Sequence, residues 1–127
     1  MNGLVFLWIM IGGGLGSVAR FVISRYYLLH QAEVSKFPWP TLWANLLACL
    51  ILGVLIFFDD EKGLSDSYKY TLAVGFCGGF STFSTFSLEL VQLIKKDDWA
   101  IAVTYVAVSV LAGVLCIYLG KKIPTLF

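Results

Sequence analysis

Four runs of about twenty apolar residues, each long enough to cross a lipid bilayer as a helix, divide this chain and leave little room for anything else. They cover residues 4–23, 40–58, 70–94 and 99–119. Charged or turn-forming stretches separate them. Hydrophobic residues make up 59% of the 127 and charged residues 13%, about half the charge of an ordinary soluble domain. A soluble protein this small has too much surface to hide so much apolar area. The sequence therefore predicts an all-α membrane protein, a single four-helix transmembrane domain over residues 1–127.

The first run is read as a retained helix, because no Lys or Arg precedes Leu4 to form the basic start of a signal peptide. Gly12 and Gly16 in it are one turn apart, the spacing that lets helix backbones approach closely. Cys49, Cys77 and Cys116 each lie inside apolar sequence with no metal-ligand spacing, so they read as small buried hydrophobes. The single histidine is His30, and the net charge is +1. Nothing here supports a zinc site, an enzyme's nucleophile–base pair or a nucleic-acid partner.

Four spans place Lys62, Lys69, Lys121 and Lys122 on one side and Arg25, Lys36, Lys95 and Lys96 on the other. Orientation follows an excess of Lys and Arg on one side; four against four is no excess. Two readings stand: a weakly biased protein oriented by its insertion history, or copies inserted both ways and paired antiparallel.

Polar groups at membrane depth need a partner or a function. Arg20 reads either as a side chain reaching the interface or as a vestibule wall that attracts anions. Asn45, with Thr41 one turn earlier, either joins two helices or donates to a passing anion. The densest stretch is Gly75 to Ser87, where Gly78-Gly79 weakens a helix and Ser81, Thr82, Ser84, Thr85 and Ser87 follow. A break near 78–81 would free backbone groups, which membranes tolerate only inside protein or along a cavity. Phe83 and Phe86 share a face; they either pack or turn their partly positive ring edges toward an ion path. Tyr105 and Ser109, beside Thr104, form either interhelical hydrogen bonds or a second wall of that path. Glu89, the only acid in a span, is expected near an interface or vestibule.

At these residues the chain resembles the CrcB/Fluc family of bacterial fluoride channels. The carriers are Gly-Gly-Gly-Leu-Gly-Ser-Val-Ala-Arg at 12–20, Thr-Leu-x-Ala-Asn-Leu at 41–46, and Gly-Phe-Cys-Gly-Gly-x-x-Thr-Phe-Ser-Thr-Phe-Ser at 75–87. The resemblance implies an antiparallel, dual-topology dimer with two fluoride pores in the bacterial inner membrane. It implies a structural sodium ion at the dimer centre, held by backbone carbonyls that fall on Gly78 and Ser81, the latter a position where the family usually has threonine. It places Asn45, Phe83, Phe86, Ser84, Thr85, Tyr105 and Ser109 along the fluoride pathway, with Thr41 and Arg20 beside them. The expected partners are fluoride, lipid and a second copy of the chain; a pair of related, oppositely oriented subunits stays open beside the homodimer. The expected activity is passive fluoride export and fluoride resistance, with no enzymatic step. A small multidrug exporter of similar size would need a carboxylate in its first helix, and this one has none. The loop from Leu28 to Trp39 has no counterpart in the resemblance.

Overall fold

The computed structural model of the chain describes residues 3–31 and 35–126; residues 32–34 of the first loop lie outside them. It is all-helical, and among the described residues there is no strand. Helix α1 spans Gly3–His30 and α2 spans Trp39–Lys62. The third crossing is two pieces. Helix α3 covers 66–80, opening with a turn at Asp66–Tyr68, winding as a π-helix over Lys69–Cys77 and ending in an α-turn at Gly78–Phe80. Helix α4 follows at Phe83–Lys95, and α5 spans Trp99–Lys122 before a short 3₁₀ turn at Ile123–Leu126. Four crossings are long and apolar enough to span a membrane.

The helices run past the apolar windows at several ends, α1 reaching His30 and α2 reaching Lys62. A helix satisfies its own backbone bonds, so nothing forces it to stop where the lipid does. Pro40 stands in the first turn of α2, where its missing N–H is no loss. Gly63, with φ of 65°, ends α2. Asp97, with φ of 58°, makes the tight turn between α4 and α5, where its N–H bonds back to Ile94 and that of Asp98 to Leu93.

Glycine decides which helices touch. A Cβ on Gly12 would overlap the Thr71 carbonyl, and one on Gly16 the Phe76 carbonyl. From the other side, a Cβ on Gly75 would stand 2.9 Å from the Ile9 carbonyl oxygen, and one on Gly79 would overlap that of Gly13. The same device joins α2 and α5, where Gly53 lies on the Ile117 carbonyl and Gly120 on that of Leu50. Lipid tails are as apolar as leucine, so close backbone packing has to hold helices together. The outer surface is correspondingly apolar: Met10 is 70% exposed and Leu111 71%. Ion pairs sit at the ends, with Asp59–Lys69 and Asp60–Lys121 at one and Lys36–Asp98 at the other.

Candidate functional site: a polar column at the helix break

The third crossing breaks at Ser81 and Thr82, both extended, with ψ of 157° and 121°. Gly78 keeps helical angles of −65° and −38°. The glycine pair anticipated as the weak point thus stays helical. Gly79 is needed for packing on α1. The break falls where side chains offer the backbone better partners.

Those partners can be named. Asn45 on α2 accepts the Thr82 N–H at 2.8 Å and donates to the Thr82 carbonyl at 3.4 Å. Thr82 then caps α4, its hydroxyl oxygen accepting the Thr85 N–H at 3.2 Å, an arrangement worth about 1 kcal/mol. In an unbroken helix these two N–H groups would go to the carbonyls four residues back, those of Gly78 and Ser81. Both carbonyls are therefore released. Of the carbonyls around them, Cys77 accepts the N–H and hydroxyl of Ser81, and Gly79 accepts Arg20 Nε at 3.3 Å and Ser17 Oγ at 3.5 Å, while that of Phe80 loses its helical partner, the Ser84 N–H, as well. Arg20 thus lies half-buried against the end of α3, its positive charge at the negative pole of that helix.

Seven residues after Thr82, two turns along α4, stands Glu89. Its two carboxylate oxygens accept Thr41 Oγ1 at 2.7 Å and Tyr105 OH at 2.8 Å. Tyr105 is fully buried and Thr41 nearly so. Spacing along the chain pairs Thr41 with Asn45 and Tyr105 with Ser109 and leaves Glu89 alone; the fold joins Thr41, Tyr105 and Glu89. The spacing could not reveal this, because the partners come from α2, α4 and α5. The available signal was that Glu89 is the one acid inside a span.

Two levels result, separated by one turn on α2 and α5 and by two turns on α4. The outer level is Thr41, Glu89 and Tyr105. The inner level is Asn45, Thr82 and Ser109. At the inner level a cleft of about 290 Å³ is lined by Asn45, Ser81, Thr82, Phe83, Phe86 and Ser109. The Ser109 hydroxyl there is buried and has no hydrogen-bond partner among the described residues. Thr82 Oγ1 also meets Ser84 Oγ at 3.3 Å and Thr85 Oγ1 at 3.1 Å, so these three hydroxyls form one connected group. Phe86 packs on Tyr105 with ring centroids 4.8 Å apart, and Phe83 lies 5.9 Å from Phe86. Phe83 is 80% exposed. The outer level opens into a chamber of about 580 Å³ walled by Tyr27, Ser35, Lys36, Phe37, Gln92 and Lys96.

Residues 7–121 match the family described as CrcB-like protein, Camphor Resistance (CrcB). The chain belongs to the CrcB family. Its CrcB relatives include a protein of Magnetococcus marinus, 41% identical with 94% of this chain and 96% of the relative covered. Another, from Phocaeicola vulgatus, is 37% identical over 90% of this chain and 93% of the relative. A third, from Azobacteroides pseudotrichonymphae, is 39% identical over 92% and 93%. Each is named a fluoride-specific ion channel. This CrcB chain is a multi-pass membrane protein of an ion-channel family, not an enzyme.

Proposed function

We propose that the chain is a subunit of a fluoride channel, and that the two-level polar column is its ion path. The column supports this best: an acid, hydroxyls, an amide and ring edges stacked through a lipid-facing bundle have no use in an anchor. Relatives that this chain matches over nearly its whole length carry the name fluoride-specific ion channel. Fluoride entering the cleft would exchange part of its hydration for the free Ser109 hydroxyl, the hydroxyls of Ser84 and Thr85, and the edges of Phe83 and Phe86. Ring edges attract an anion weakly enough to release it, as conduction requires. At the outer level the anion competes with Glu89 for the hydroxyl protons of Thr41 and Tyr105. Lys36 and Lys96 line the chamber beyond. Transport is passive. Hydrogen fluoride enters cells neutral and ionises inside, so a fluoride exit in the bacterial inner membrane protects against it.

The working form is an antiparallel, dual-topology dimer with two pores. Three observations support it. The lysines and arginines are balanced between the two faces. Phe83 is exposed although it borders the cleft. A Cβ on Gly78 would meet nothing within 4 Å inside the chain, so any need for a glycine there lies outside one chain. The sodium ion implied by the resemblance fits the same place. Sodium prefers oxygen donors, and the carbonyls of Gly78 and Ser81 are among those released by the break; a second copy would bring the donors to four. Bound there, the ion supplies positive charge that holds carbonyl dipoles together.

Purified protein in liposomes is expected to release fluoride down its gradient without a proton or drug gradient; no release from assembled protein defeats the channel reading. Phe83→Ile keeps bulk but removes the ring edge, so a fall in efflux of about tenfold with unchanged assembly is expected. Efflux at the wild-type rate removes the ring from the path. Gly78→Leu is expected to leave helix content intact and to abolish the chemically crosslinked dimer. A normal dimer yield places the partner face elsewhere.

A further inference from the structure

The segment before α2 belongs to neither polar level, yet it is tied to α5 at one point and braced by two bonds within itself. Lys36 Nζ lies 2.9 Å from Asp98 Oδ1 at the start of α5. The Phe37 N–H donates to Ser35 Oγ at 3.1 Å, and the Trp39 N–H to the Phe37 carbonyl at 2.9 Å. These bonds aim the Phe37 ring inward, onto the buried cluster of Leu42, Leu93, Ala102 and Tyr105.

There it meets Tyr105 edge-on, with centroids 5.4 Å apart and planes at 73°. Phe86 packs on the same tyrosine at 4.8 Å. The Tyr105 ring is thus held between one aromatic from the mouth and one from α4, and its hydroxyl is delivered to Glu89 at 2.8 Å. Phe37 also walls the chamber into which Glu89 opens. A tyrosine ring swings about two side-chain torsions. Removing a neighbour on one side lets the hydroxyl leave the carboxylate.

Taking the fluoride-channel reading as its ground, we propose that Phe37 is a positioning residue for conduction: it holds Tyr105 so that its hydroxyl stays on Glu89 at the outer level of the path. The ion need not touch Phe37. The ring acts through Tyr105, so its effect disappears when the tyrosine hydroxyl does.

The test is a double-mutant cycle on fluoride efflux from liposomes, with wild type as control and assembly checked by size exclusion. Phe37→Ala is expected to slow efflux by about three- to tenfold, the scale of one aromatic pair, and Phe37→Tyr to restore it. On a Tyr105→Phe background, Phe37→Ala is expected to add no further loss. Efflux at the wild-type rate in assembled Phe37→Ala overturns the proposal. An equal fold loss on both backgrounds also overturns it, because Phe37 then acts by another route. Should Phe37→Ala fail to assemble, Phe37→Leu, which keeps bulk without the ring edge, carries the same cycle and the same criteria. A wild-type protein inert to fluoride removes the channel reading itself, an outcome the control separates from failure of the Phe37 proposal.

Discussion

Asn45→Asp protein is expected to pass no measurable fluoride. The Asn45 amide grips both sides of one residue, accepting the Thr82 N–H at 2.8 Å and donating to the Thr82 carbonyl at 3.4 Å. Aspartate keeps the first bond. In place of the second it sets a carboxylate oxygen against a carbonyl oxygen, with no proton between them. A half-buried carboxylate without a counter-charge is costly, and here it would also stand beside the cleft an anion must cross. Two effects then act together, a loosened helix break and a repulsive field. Asn45→Ala separates them: it leaves the Thr82 groups unpaired, at about 1–3 kcal/mol, but adds no charge. Its thermal midpoint is expected to fall while some efflux persists. Fluoride efflux from liposomes and a melting curve on the same preparations decide the matter. Wild-type efflux from Asn45→Asp would remove Asn45 from both roles.

Gly16→Val is expected to prevent folding altogether. The first atom added to Gly16 would overlap the Phe76 carbonyl oxygen and stand 2.8 Å from the Phe80 nitrogen. Both are backbone atoms of α3, so no rotamer change relieves the contact, and the helices must separate. Overpacking in a rigid core costs about 1–3 kcal/mol and sometimes more; here the opposing surface is main chain, which puts the cost at the upper end or beyond. The displaced helix is the one whose end carries the Gly78 and Gly79 carbonyls, so the break and the cleft go with it. Gly113→Ala is the matched control, because its added Cβ would meet only Cys49 Sγ at an ordinary 3.6 Å. Size exclusion in detergent is expected to give one sharp species for Gly113→Ala and aggregate for Gly16→Val. A sharp, wild-type-sized Gly16→Val species would show that α1 does not need to lie so close to α3.

The two variants also mark how far the sequence could be read. Gly12 and Gly16 announced a close helix contact by spacing alone, since small residues one turn apart serve that purpose in lipid. Which helix they meet was not legible, because that partner lies some sixty residues away in the chain. The break was legible as a place, from glycines and hydroxyls crowded into one apolar run. Expected near 78–81, it falls at 81–82, the far end of that range. Helix propensity points at Gly78-Gly79, but the outcome turned on Asn45, a competitor for the Thr82 N–H reaching in from α2. Glu89 was visible as an acid in an apolar setting, and its two hydroxyl partners were not.

What the sequence determined by itself was the solvent, the element type and the number of crossings. Each follows from hydropathy and length within a single segment, because lipid cannot satisfy backbone groups and so demands helix. What only the tertiary structure decided was which polar groups meet. Hydrogen bonds such as Asn45–Thr82, Thr41–Glu89 and Tyr105–Glu89 join residues from different helices. They exist because glycine contacts set α1 against α3 and α2 against α5 at backbone distance. Hydropathy has no direction around a helix axis when the whole helix is apolar, so the facing residues are chosen by packing, and packing is a property of pairs.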